Sequence, residues 1–450
     1  MHAGIDLSTT TARCVLLDGA LNVIAVGRQR HTGLADNLRQ RAGRWIGSVE
    51  RAVAESAAAA GVALDRIGSI GIATQGVASV MVDEAGNELS DAQGWLSAGD
   101  EPTPELATAT IESWYSRSGR RISPATLAGR LLCNTEASTG RWALAGDLIA
   151  HQLTGQWVVD PCLAATTALL DQCSRDWSGA LLGEVGVEPT SLSRIGASGT
   201  VAGNARGPLA ARLGLSPDAI VATPTQDQRA AVLVADPDET SVTVTFGTAV
   251  AIVRRADGCA SRLSASVPLT PGLQPDTWWH EGVVPAVGVT FDWCAELMGL
   301  PNTGAWLDLA GDVEVGSAGV VCEPWFGGRG SAGWDLSATG ALRSLQLGTS
   351  RSDVARAVVD GVCAEIVTNV ELLGPSSDVR VVGRASAHPA LVRTVATLLG
   401  RPVTRVIADE PTAYGAALLG AQAGGHIASA HAHSRAVLRS HVVEPGGRGG

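Results

Sequence analysis

Two short threonine-containing turns, each held between two β-type runs, lie about 240 residues apart: IDLSTTTARCVLL from Ile5 and VTVTFGTAVAIV from Val242. One such turn means little. Two of them describe a doubled scaffold, in which each half offers backbone N–H groups and hydroxyls to one polyphosphate. Between them, Asp227 stands in TPTQDQRAAVL as a lone carboxylate placed to serve as a base.

A chain of 450 residues is too long for one core, so two domains or more are expected. Hydrophobic and charged fractions of 45% and 17% are those of an ordinary globular chain. No run of 18 apolar residues free of charge occurs, which argues against a membrane span. The start, MHAGIDLSTT, enters a strand at once and lacks the basic-then-apolar signature of a signal peptide, so a cytoplasmic location is expected. A net charge of −11 disfavours nucleic acid as the main partner. All 33 basic residues are arginine, which excludes a Walker P-loop lysine, a protein-kinase strand lysine and a Schiff-base lysine. If this chain binds phosphates, it does so with backbone amides, hydroxyls, arginine and a metal. The eight cysteines are spread widely, with no CxxC pair and no metal-ligand spacing. They read as small buried hydrophobes, without a structural zinc or a disulfide framework.

The local pattern supports an α/β chain. Ala3–Leu7 and Ala12–Leu17 read as strands around a turn at Ser8–Thr11, and Asp18-Gly19 turns into a third near Leu21–Val26. A helical stretch follows from about Asp36, with Trp45, Val49 and Val53 on one face. Ile67–Ala73 is a strand ending at Thr74-Gln75-Gly76, and Ala219–Ala222 a buried strand leading to Asp227. The second half repeats this logic. Val242–Phe246 and Ala249–Val253 flank Gly247-Thr248, and Val354, Val358, Val362 and Ile366 share a helical face. Val379–Val382 is then a strand, and helices begin at Pro389 and Pro411. The domain boundary is expected between Asp227 and Ser241, where Asp236-Pro237-Asp238 punctuates the chain.

In this order the pieces resemble the FGGY carbohydrate kinases. GIDLSTTTAR is similar to that family's first phosphate motif, TQDQRAAV to the stretch holding its catalytic Asp, and TFGTAVAIV to its second phosphate motif. GIATQGVASVMVDEAG, HQLTGQWVVDPCLAATTALLD, GGRGSAGWDLSATGALRSL and EPTAYGAALLGAQAGG resemble its other segments, with the family's spacing across roughly residues 1–424. The resemblance implies two ribonuclease-H-like (actin-like ATPase) domains with a central interdomain cleft. Residues 1–236 would form the sugar or polyol side and 237–425 the nucleotide side. The His-rich tail at 426–450 would be poorly ordered at its end. A homodimer is also a family-level expectation.

The same resemblance, joined to the chemistry of each side chain, assigns roles. Asp227 would be the base that takes the acceptor hydroxyl's proton, against the bland reading of an exposed turn Asp. Asp6 would organise Mg²⁺ and its waters, or else only hydrogen-bond its own turn. Thr9, Thr10 and Arg13 would meet the β- and γ-phosphates of ATP, with Gly247 and Thr248 doing so from the second turn. Gly383 and Arg384 would lie at the adenosine. Gln75, Trp95, Asp160 and Trp334 are substrate-side or cleft positions, although with 12 tryptophans most are packing residues. No histidine earns a metal role.

The chain departs from the family pattern in four places. Ser8 stands where a Gly precedes the first Thr. The family's Trp-x-Asp-x-Arg becomes Trp95-Leu96-Ser97-Ala98-Gly99. Its three adenosine-site glycines become Gly383-Arg384-Ala385-Ser386-Ala387-His388. Its Gly-Asp becomes Gln226-Asp227, with Arg229 nearby. The leading reading is an ATP- and Mg²⁺-dependent kinase of a small sugar, polyol or cyclitol. The alternative is a catalytically dead, ligand- or partner-binding relative. A chaperone-type ATPase is weaker, because no peptide-binding region follows.

Overall fold

The computed structural model describes residues 1–31, 39–94, 108–133, 140–235, 240–316, 319–437 and 439–446. Its contacts divide the chain into two units. The first comprises Met1–Val234, Ala256–Trp278 and Glu410–Val437, and the second Ala235–Arg255, Trp279–Asp409 and Leu438–Gly450.

Unit 1 is built on a mixed sheet. Its strands are β1 (His2–Leu7), β2 (Thr11–Leu17), β3 (Val23–Arg30), β4 (Ser69–Thr74) and β5 (Ile220–Ala222), in the spatial order β3-β2-β1-β4-β5. β1 and β2 are antiparallel, whereas β1, β4 and β5 are parallel neighbours. The alternation of β-branched and apolar residues with short turns produces the meander, and the parallel neighbours return through helical crossovers. Val201–Asn204 closes the edge, antiparallel to β5.

Helix α1 (Ala42–Ala60) covers β2 and β3, and its Trp45, Val49 and Val53 are buried in the core, as their spacing predicts. It starts later than Asp36; residues 32–38 lie outside the described ones. Against β1 and β4 lies a helix from the far end of the chain, Pro411–Ala423. A Cβ on Gly4 would stand 1.9 Å from the Ala413 carbonyl oxygen, and one on Gly71 1.7 Å from that of Ala416. Glycine on both strands and alanine on the helix let backbone pack on backbone.

Unit 2 repeats the plan. Its strands are β6 (Val242–Phe246), β7 (Val250–Ala256), β8 (Trp278–Val284), β9 (Val379–Val382) and β10 (Val403–Val406), in the order β8-β7-β6-β9-β10. Again the first pair is antiparallel, and β6, β9 and β10 are parallel neighbours. Again an outer antiparallel strand, Ser440–Val443, closes the edge. Helix α2 (Arg351–Leu372) begins with a capping box of Ser350 and Asp353 and buries Val358, Val362 and Ile366.

One expectation changes. The contacts also group 256–278 and 410–437 with unit 1, so the packing units are not contiguous in sequence. Within the tail there is a helix at Ala430–Val437 and a strand at Ser440–Val443, and the His426 ring packs 4.4 Å from that of His2; the end of the tail, 447–450, lies outside the described residues. Cys173 and Cys259 form a disulfide, against the reading of no disulfides. Spacing of 86 residues carries no signal for it; only tertiary folding brings the two together. Among the described residues, no helix is long and apolar enough to cross a membrane.

Candidate active site

The parallel strands of unit 1 end together. Asp6 on β1 is in register with Ala73 on β4, and Ala73 in turn with Thr225 of the short strand Thr225–Gln226. Asp227 follows at once, as the first residue of the helix Asp227–Ala235. The carboxyl ends of adjacent parallel strands are where open α/β sheets take their ligands. Asp6 and Thr225 are two strand spacings apart, roughly 10 Å.

Asp227 is half-buried, and one of its carboxylate oxygens accepts from the Gln228 N–H at 2.7 Å. Asp6 is buried, and its Oδ2 accepts from Arg13 Nη1 at 2.9 Å. Its Oδ1 is buried without a hydrogen-bond partner among the described residues. Burial pushes the Asp6 carboxyl up, and the Arg13 guanidinium pulls it back down. Arg13 also reaches Glu410 Oε2 at 3.4 Å, and Arg28 holds the other oxygen of Glu410 at 2.8 Å. Arg13 is thus a bridge between two carboxylates rather than a cation free for phosphate.

The first turn is closed from within. Ser8 donates from Oγ and from its N–H to the Thr11 carbonyl, at 2.9 and 3.0 Å. The Thr9 carbonyl faces His31 Nε2 and accepts from Gln40 Nε2, both at 3.0 Å. Thr10 Oγ1 lies 3.4 Å from Thr11 Oγ1. Burial lowers the His31 pKa to about 4, leaving a neutral ring beside the turn.

Gln75 is buried; its Nε2 donates to Gln40 Oε1 at 2.9 Å, and its own Oε1 has no partner. A Cβ on neighbouring Gly76 would lie 3.4 Å from Gln226 Nε2. Gln75, Gln226 and Asp227 therefore share one neighbourhood. Asp160 is a different case. Its oxygens accept from Leu163 N–H at 2.8 Å and Ser198 Oγ at 2.5 Å, capping the helix Pro161–Ala164. That engagement makes it a structural cap rather than a substrate contact. Trp95 lies outside the described residues.

In unit 2, Gly247 and Thr248 sit at the turn between β6 and β7. Gly247 N–H donates to the Ala249 carbonyl, and the Thr248 carbonyl accepts from Gly288 N–H. Gly383, just after β9, has φ of 105°, and a Cβ there would meet the Phe246 carbonyl oxygen at 2.2 Å. Only glycine fits. Arg384 is exposed beside it, in a short 3₁₀ turn.

The comparisons with known proteins follow this geometry. Residues 1–234 match the N-terminal domain of the FGGY family of carbohydrate kinases, and residues 242–424 match its C-terminal domain. The chain belongs to that family. It is 26% identical to glycerol kinase 1 of Streptomyces avermitilis, over 92% of this chain and 87% of that protein. A glycerol kinase of Thermococcus onnurineus is also 26% identical, with the same coverage. Among solved structures, a ligand-bound xylulose kinase from Lactobacillus acidophilus superposes with a TM-score of 0.84 at 18% identity, over 99% of this chain and 93% of that one. A gluconate kinase from the same organism gives 0.85 at 19% identity, also over 99% and 93%. These likenesses establish two domains of the actin-like ATPase fold, and family membership establishes an ATP-dependent carbohydrate kinase.

Several residues of this FGGY kinase escaped the sequence reading. Glu410 stands in the quoted EPTAYGAALLGAQAGG segment, yet its tie to Arg13 and Arg28 follows only from the helix returning to unit 1. Gln40 and His31 come from outside any motif. Arg329 and Trp334 form a separate local assembly. Arg329 pairs with Glu365 at 3.0 Å and stacks 4.9 Å from the Trp325 ring centroid, while Trp334 N–H donates to Gly330.

Proposed function

We propose that this FGGY kinase transfers the γ-phosphoryl of ATP to a hydroxyl of a small sugar, polyol or cyclitol, with Asp227 as general base. The observation that carries this reading is the convergence of Asp6, Gln75, Gln226 and Asp227 at the carboxyl ends of neighbouring parallel strands. Unit 1 supplies the acceptor chemistry, and the Gly247-Thr248 and Gly383-Arg384 turns of unit 2 serve the nucleotide. In the transfer the acceptor oxygen bonds to the γ-phosphorus, its proton passes to Asp227, and the bond to ADP breaks.

A divalent ion fits this donor set. Asp6 Oδ1 is a buried oxygen without a partner, and Mg²⁺ takes few protein ligands while keeping its waters. Among the described residues there is no cluster of three ligating side chains, as such a water-rich site requires none. When bound, Mg²⁺ would neutralise charge on the phosphates. Arg13 and Glu410 hold the Asp6 carboxylate in place, and Thr9 and Thr10 present the turn. The cytoplasmic location and the homodimer belong to the same reading; sedimentation velocity checks the latter.

The test is ADP release by purified protein with ATP, Mg²⁺ and a polyol and sugar panel. Asp227→Asn should lower kcat roughly 10²- to 10⁴-fold while leaving ATP affinity in place. Turnover that survives the substitution removes Asp227 from the mechanism. The inactive-relative reading is favoured by the altered turn at Arg384, and failure of ATP–Mg²⁺ to bind in calorimetry would establish it.

A further inference from the structure

Arg130 is a cation set into unit 1 without a countercharge among the described residues. It lies on the helix Leu127–Cys133 and is half-buried. Its Nη1 donates to the Gln93 carbonyl at 3.1 Å and, at 3.5 Å, to that of Ala125; its Nη2 donates to Ser79 Oγ. All three acceptors are neutral, and no ion pair to Arg130 occurs among the described residues. A guanidinium has five N–H donors, so these bonds leave two for a ligand. Burial alone lowers its pKa, to about 10, and no neighbouring carboxylate raises it. Other half-buried arginines of unit 1 are mixed: Arg13 pairs with Asp6 and Glu410, whereas Arg175 and Arg262 donate to backbone carbonyls. Holding a partly desolvated charge against neutral acceptors costs stability that an arriving anion would offset.

Its location relates it to the acceptor. Ser79 and Gln93 are paired strand residues, and Ser79 lies four residues after Gln75. The next residue after Gln93 is Gly94, where a Cβ would stand 4.0 Å from Gln75 Oε1. That oxygen is buried and has no partner among the described residues, which leaves it an acceptor for a ligand hydroxyl. Gly76 then leads to Gln226 and Asp227. Stepwise neighbours thus link the proposed base, by way of an acceptor oxygen unpartnered among the described residues, to a guanidinium without a countercharge among them.

We infer that the acceptor is a polyhydroxy carboxylic acid, its carboxylate on Arg130, a hydroxyl on Gln75 Oε1 and the reacting hydroxyl at Asp227. A guanidinium edge matches a carboxylate with two parallel hydrogen bonds, which an uncharged polyol cannot return. The inference rests on the proposed kinase reading and narrows its substrate class. The covalent step is unchanged: the hydroxyl oxygen gains the γ-phosphoryl, Asp227 takes the proton, and ADP leaves.

The experiment compares matched pairs on the full-length protein: gluconate with glucitol, xylonate with xylitol, and glycerate with glycerol. In each assay the wild type is set beside Arg130→Met and Arg130→Lys. The acid of at least one pair should show the lower KM. Arg130→Met should raise that KM about tenfold to a hundredfold, the range of a hydrogen bond to a charged group. KM for the neutral partner should stay within about twofold, and Arg130→Lys should recover part of the loss. Calorimetry with the same aldonates and no ATP separates the two claims. Aldonate binding that needs Arg130, without turnover of any acceptor, sustains the carboxylate site at Arg130 and refutes the kinase reading. Turnover of neutral polyols with no preference for acids, or an acid preference that Arg130→Met leaves intact, overturns the inference and spares the kinase. If Arg130→Met does not fold, the wild-type acid-to-neutral ratio decides alone.

Discussion

The first hairpins of the two units share a backbone plan and differ in charge. In unit 1, Asp6 near the end of β1 faces Arg13 across the hairpin and Ala73 on the parallel side. In unit 2, the equivalent place near the end of β6 is Thr245, facing Ala251 and Val382. One hairpin carries a buried ion pair reinforced by Glu410, and the other a buried hydroxyl with no hydrogen-bond partner. Sheet order and register set where a ligand can meet the chain, and the side chain at one register position sets the chemistry offered there. In the proposed reading, metal and acceptor chemistry therefore fall to unit 1, while unit 2 presents backbone and glycine.

Substitution at the paired positions should break this symmetry most sharply. Asp6→Asn leaves Arg13 partly uncompensated in a buried site and should cost about 3 kcal/mol or more of stability. Thr245→Val removes only an unpartnered hydroxyl and should stay within about 1 kcal/mol. Urea unfolding of both variants measures the difference; equal costs would mean the ion pair is not what distinguishes the hairpins.

A smaller effect separates two glycines within unit 2. Gly383→Ala forces a Cβ against the Phe246 carbonyl at positive φ and should cost roughly 1–3 kcal/mol, with weakened ATP binding. Gly247→Ala, at an exposed turn, should leave stability within about 1 kcal/mol. Calorimetry with ATP would show whether the Gly383 turn, rather than the Gly247 turn, limits nucleotide affinity.

The smallest effect is in pH. Burial lowers His31 to about 4, so the fold holds it neutral and unfolding takes up a proton. Its stabilising contribution is lost as pH falls from about 6.5 toward 4. Burial raises Asp147 to about 7, so the fold holds it protonated and unfolding releases the proton. Its contribution is lost as pH rises from about 4 through 7. Both groups lie in unit 1. Asp147→Asn should flatten the loss of Tm toward neutral pH, and His31→Gln the loss toward acid, each by roughly a few degrees. Profiles unchanged in both variants would remove unit 1 as the source of the dependence.

Much of this was open to reading in the chain. The turn-flanked strands at Ile5 and Val242, the Trp45-Val49-Val53 face and the helices after Pro389 and Pro411 obey local periodicity, which needs no tertiary information. Asp227 stood out because it follows a buried strand. Asp160 misled, because a carboxylate before Pro161 caps a helix as readily as it binds a hydroxyl. Arg13 misled because its partner Glu410 is nearly four hundred residues away in sequence.

The residues alone therefore determined the doubled α/β plan and the lysine-free chemistry, since each follows from pattern and side-chain type over short spans. Only the folded chain decided that a C-terminal helix returns to the first sheet, that Cys173 meets Cys259, and that Arg130 has no countercharge among the described residues. Those facts depend on long-range contact, because hydrogen-bonding and ionic partners are selected by proximity in space, which sequence spacing does not encode.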